Sequence, residues 1–207
     1  MALHSVRGCD MSDSEVRSSS PWLAFTGLLP VVLMVPILIA HAYAAGVIVA
    51  VVGCVGVLIY HLARRQGVTS LDLLALLFAV VNVVLYFGLH NTWLIGHVAI
   101  VFYTLLALQC AVSLFRGDPW TMQFTRRVVR PEFLADPRFR GMNVRTTVVW
   151  TLSFAVCDAL ALLVHGAAGT WLPLVVLALA VVVSRVSGRL YLNSAMRAAD
   201  GRAATVG

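Results

Sequence analysis

Six long apolar runs alternate with short polar breaks along the chain. They cover 22–40, 44–63, 71–89, 93–115, 147–165 and 170–191. Each is close to the roughly 20 residues a helix needs to cross a bilayer. Hydrocarbon offers no partners to backbone N–H and C=O groups, so a spanning segment must satisfy them internally, as a helix. The β-branched stretch Val47–Val57 would favour strand in water, and in lipid that preference is overruled. The pattern predicts an all-α, polytopic transmembrane bundle of about six helices. A cleavable leader competes for the first run, since Ala40-His41-Ala42 and Ala42-Tyr43-Ala44 have the small-x-small form. That run is longer than the usual apolar core of a leader and follows a long polar tail, so it is read as a span.

The breaks are of two kinds. Those near 41–43, 90–92 and 166–169 are short and carry no arginine. The others, with the end of the last run, hold every basic residue: Arg7 and Arg17; Arg64 and Arg65; Arg116, Arg126, Arg127, Arg130, Arg138, Arg140 and Arg145; Arg185, Arg189, Arg197 and Arg202. Loops rich in basic residues stay cytoplasmic. Residues 1–21 and 193–207 are therefore expected to be cytoplasmic tails, and the spans to form three hairpins closed on the outside. Trp22, Trp93 and Trp171 stand at run boundaries, where interfacial anchors belong.

The loop 116–146 is the longest polar segment. Asp118-Pro119 has the form of an N-cap followed by proline at the first helical position. Trp120, Phe124 and Val128 then recur four apart beside Arg126, Arg127 and Arg130. This predicts a short amphipathic helix in the headgroup layer, with Trp120 and those three arginines touching anionic lipid. Asp136-Pro137 repeats the start signal and leads towards the fifth run.

Composition supports the membrane reading. Of 207 residues, 60% are hydrophobic and 12% charged, too apolar for one water-soluble core. The net charge of +6 comes from fifteen basic residues, all arginine. Their placement follows topology rather than a nucleic-acid face. The cysteines Cys9, Cys54, Cys110 and Cys157 lack metal-type spacing and read as buried thiols or a tail thiol.

Few residues could carry chemistry. Asp158 lies deep in the fifth run, where a carboxylate should face the bundle interior or a water-filled cavity. Asn82 lies at similar depth, and His165 is one heptad beyond Asp158. His41, His90, His97 and His165 gather at the outer ends. They lack the i, i+3 or i, i+4 pairing of a metal motif, so no metal or other cofactor is assigned. An intramembrane polar site of Asp158, Asn82, His165 and His97 is the candidate. The ladders Ala42, Gly46, Ala50, Cys54 and Ala180, Ser184, Gly188 suit close helix packing within the bundle, or a homodimer face. Signatures of phosphate loops, zinc hydrolases and serine hydrolases are absent.

With Leu29-Pro30, Leu89-His90-Asn91, and Pro131, Phe139, Asn143, Trp150 and Phe154, the layout from about Leu28 to Tyr191 resembles the bacterial intracellular septation protein A family of small inner-membrane proteins. Gly96-His97-Val98-Ala99 stands where that family has a basic residue and proline, and the inner loop is longer. The resemblance implies a non-enzymatic role in cell-envelope organisation or septation, through membrane partners. A small proton- or ion-coupled transporter using Asp158, and a redox subunit with a cofactor near the outer histidines, are the alternatives.

Overall fold

The computed structural model describes Pro30, Leu33, Ile37, residues 41–65, 67–126, Leu134, 136–164 and 166–206. The described chain runs through α1 (Tyr43–Ala63), α2 (Ser70–Val83), a π-helical turn (Val84–Gly88), α3 (Trp93–Gly96), α4 (Val98–Phe115), α5 (Trp120–Thr125), α6 (Pro137–Leu163) and α7 (Ala167–Val206). Five helical segments are long and apolar enough to cross a membrane: Tyr43–Ala63, Ser70–Gly88, Val98–Phe115, Pro137–Leu163 and Trp171–Tyr191. The chain is thus built as a multi-pass integral membrane protein. The expected first span, 22–40, lies outside the described residues except at Pro30, Leu33 and Ile37, which are helical.

The helix ends follow local chemistry. Thr69 caps α2 through a capping box with Asp72: its side chain accepts from the Asp72 N–H, and its own N–H donates to the Asp72 carboxylate. Asp136 caps α6, accepting from Arg138 N–H, with Pro137 in the first turn. At the end of α4, Gly117 adopts φ +69°, with Gly117 N–H donating to Leu114 O and Asp118 N–H to Ser113 O. Those two bonds form a glycine C-cap of the Schellman type.

Helix α6 begins ten residues before the expected 147, because Asp136-Pro137 starts a helix whose first turns bury Phe139, Asn143 and Thr147. Helix α7 continues through Val206, past the expected boundary at 191. The fourth run is divided at His97 into α3 and α4.

The main packing partners are α1 with α2, α4 with α6, and α6 with α7. Helix α2 also meets α4 through Phe78 and Phe102, whose ring centroids lie 5.0 Å apart. The core joins Ala50, Cys54, Leu71, Ala75, Phe78, Phe102, Leu106, Trp120, Trp150 and Phe154. Gly46, Ala50 and Cys54 of the first small-residue ladder are buried within this one chain, whereas Ala42 is exposed. At Gly53, an added Cβ would stand 2.7 Å from Pro30 Cβ, so this glycine lets the segment at Pro30 close onto α1. Trp93 and Trp171 are 60% and 65% exposed.

Candidate functional site

The polar interior lies in two layers. One is centred on Asp158 of α6, whose Oδ2 accepts from Thr104 Oγ1 of α4 at 3.1 Å, while Oδ1 is buried without a partner. Asn82 does not pair with it. The Asn82 amide nitrogen donates back to Phe78 O at 2.8 Å, one turn down α2, and its Oδ1 is buried and unbonded. His97 is elsewhere again. It is exposed, stacked on Trp93 at 4.6 Å, with Nδ1 2.8 Å from Trp93 O. His165 lies outside the described residues. Of the expected four-residue site, the three described members are bonded to separate partners and not to one another: Asp158 to a hydroxyl of the neighbouring helix, Asn82 and His97 to backbone carbonyls one turn away.

The second layer lies at the arginine-bearing end and was not read from the sequence. His61, in the last turn of α1, places Nδ1 3.2 Å from Asp72 Oδ2, with both side chains all but buried (1% and 3% exposed). The same oxygen accepts from Thr69 N–H at 2.9 Å and Thr69 Oγ1 at 2.8 Å. One carboxylate thereby starts α2 and ties it to the end of α1. The available signal was Thr69-x-x-Asp72 before an apolar run, a capping box, with a histidine one tight turn upstream.

Beside this pair, Ser70 gives both its N–H and its hydroxyl to Gln123 Oε1, at 3.0 and 2.8 Å, and accepts from Gln109 Nε2 at 2.5 Å. Ser70 thus joins α2 to α4 and α5. Thr121 Oγ1 donates to Asn143 O at 3.0 Å, and Thr121 N–H donates to Thr147 Oγ1 at 3.3 Å, joining α5 to α6. Trp120 N–H donates to Ser113 Oγ at 2.9 Å.

These bonds correct the reading of Trp120 as a lipid contact. Trp120 is 1% exposed and packs against Phe124, Trp150 and Phe154, with centroids 5.0, 5.9 and 6.1 Å away. It is a core residue, not a lipid contact, because three aromatic rings and Ser113 supply better partners than the interface does. Its cap also differs: Pro119 takes the N-cap position, and Asp118 instead forms a bidentate pair with Arg126 at 2.7 and 3.2 Å. The Arg126 guanidinium is thus held by a carboxylate. Arg127 and Arg130 lie outside the described residues.

Among the described residues, no group of three His, Cys, Asp or Glu side chains could hold a metal ion. Cys54, Cys110 and Cys157 are buried free thiols. Comparison with protein-family models, curated proteins and solved structures finds no match to this chain.

Proposed function

We propose that the chain is a non-enzymatic, multi-pass protein of a bacterial cytoplasmic membrane that supports cell-envelope organisation or septation through membrane partners. Both termini lie in the cytoplasm in this reading, and the arginine-bearing loops contact anionic lipid headgroups. The observation that carries it is the position of α7. Among the five candidate spans it is the least buried. Its main packing partner is α6 alone. Leu172, Val175, Leu179, Val182, Val183, Val186 and Leu190 are all exposed along it. Packed on α6 along one side, it leaves a long apolar side open to another membrane helix. The resemblance to septation proteins supplies the kind of partner.

Photo-crosslinking residues placed at Leu179 and Val183 in living cells test this. Crosslinks to an identified septal or wall-synthesis membrane protein are expected. Crosslinks to lipid alone, with normal division in cells lacking the gene, would contradict it.

Asp158 favours a second reading, a small proton- or ion-coupled transporter. A carboxyl group within a span, holding one bond and one unbonded oxygen, is costly unless water or a cation reaches it. Proton uptake by vesicles containing the purified protein should then be lost in Asp158→Asn while assembly survives. Uptake equal to that of the unaltered chain would remove ion coupling at this residue.

A further inference from the structure

Between Asp158 and the arginine-bearing end lies a dry layer. The next turn of α6 in that direction brings Phe154 to the same side of the helix, four residues and about 6 Å of helix rise away. The Trp120 ring lies 6.1 Å from the Phe154 ring and 5.9 Å from the Trp150 ring, centroid to centroid. Leu106 and Cys110 of α4 belong to the same buried cluster, and all five side chains are shut away from solvent. A constriction lined in this way excludes water and ions. Arg140 and Arg145, nearer the start of α6 and beyond that layer, are exposed.

The ring that completes the layer is not carried by a spanning helix. It comes from α5, six residues long and tied to its neighbours by side-chain bonds. Trp120 N–H donates to Ser113 Oγ, Thr121 N–H to Thr147 Oγ1, and the Ser70 N–H and hydroxyl to Gln123 Oε1. Water can take over each of these bonds. Gly117, at φ +69°, turns the chain from α4 towards α5. The seated ring also carries an unmet cost. Its Nε1 is buried with no partner among the described residues, and water would meet that donor once the ring left the layer. Aromatic packing thus holds the ring in, while the unmet donor and the exchangeable bonds favour its release.

We propose that α5 is a latch. Seated, its Trp120 ring closes the seam between α4 and α6 on the arginine-bearing side of Asp158. Released, it opens Asp158 to water from that side. As a gate for protons or ions the latch rests on the ion-coupling reading; as a seal it stands without it.

The test uses the full chain in sealed vesicles, with native cysteines replaced by alanine and Asp158→Cys as the reporter. A small, charged, membrane-impermeant methanethiosulfonate reacts with a thiolate, and so only with a cysteine that water reaches. It is added on the side from which Arg116→Cys, at the exposed end of α4, is labelled. Asp158→Cys is expected to stay unmodified from that side. Adding Trp120→Ala should speed its modification by an order of magnitude or more, and Trp120→Phe, which keeps a ring, should not. Gln123→Leu, which keeps the ring and removes the acceptor that ties α5 to α2, should also speed it. A lone native Cys54, buried in α1, reports whether Trp120→Ala has opened the whole bundle. If Cys54 reacts too, the Gln123→Leu rate decides. Rapid modification of Asp158→Cys with Trp120 and Gln123 intact would overturn the latch, as would a rate left unchanged by Trp120→Ala or by Gln123→Leu. Gated modification in a protein whose vesicles take up no protons would uphold the latch and remove ion coupling. Proton uptake lost in Asp158→Asn, with the rate at position 158 unmoved by either variant, would uphold ion coupling and remove the latch.

Discussion

The Tyr191 hydroxyl donates to Asp136 Oδ2 at 2.7 Å and so binds the first turn of α6 to α7. The same carboxylate caps α6 through Arg138 N–H at 2.8 Å. With Cys157 Sγ 3.5 Å from Pro173 O near the other end, the pair fixes α6 and α7 as an antiparallel hairpin over most of their shared length.

The Tyr191 hydrogen bond, aided by the Arg138 backbone N–H, holds the Asp136 carboxyl below its ordinary value. A depressed folded-state pKa contributes stability that is present above the ordinary value, about 3.9, and is lost as pH falls through the lowered one. Tyr191→Phe should return the Asp136 titration towards the ordinary range. An NMR pH titration of ¹³C-labelled aspartate reads this directly, and an unchanged midpoint would contradict the assignment.

Asp72 joins α1 to α2 by serving His61 and Thr69 with one buried oxygen. Asp72→Ala would strand the Thr69 N–H and remove one partner of a buried imidazole. Leaving a buried polar group unsatisfied costs about 1–3 kcal/mol. Reversible unfolding in detergent should show a loss of that order, and a loss no larger than that of an exposed control such as Asp118→Ala would count against the site.

Gly53 and Gly56 make a matched comparison. Alanine at 53 would meet Pro30 at 2.7 Å, whereas alanine at 56 would meet nothing within 4 Å. Overpacking typically costs about 1–3 kcal/mol, and replacing a helical glycine by alanine gains up to about 1 kcal/mol. Gly53→Ala should therefore destabilise and Gly56→Ala should not. Pairing Gly53→Ala with Pro30→Gly should recover part of the loss in a double-mutant cycle.

The spanning helices were legible because lipid demands long apolar runs, and Tyr43–Ala63 departs by one residue from the expected 44–63. The start of α6 was less so. Phe139, Asn143 and Thr147 form a buried stripe four residues apart, but two of the three are polar, so hydropathy hides it. The His61–Asp72 pair escaped notice because its members close one apolar run and open the next, eleven residues apart. Asp158 was found from its depth, since a lone acid in an apolar run stands out. Its partner Thr104 was not, because threonine in a span is unremarkable until a neighbouring helix faces it. Trp120 was misplaced because a tryptophan beside arginines suits an interface and a core equally well. Ser113, Trp150 and Phe154, distant in sequence, decide for the core.

The proposed topology turns on which ends of these helices face the cytoplasm. Single cysteines at Asn91 and Gly117, in a chain whose native cysteines are replaced by alanine, report opposite ends of the Val98–Phe115 span. In intact cells a membrane-impermeant maleimide should label Asn91→Cys and leave Gly117→Cys unlabelled until the membrane is opened. Labelling of Gly117→Cys from outside would contradict the topology.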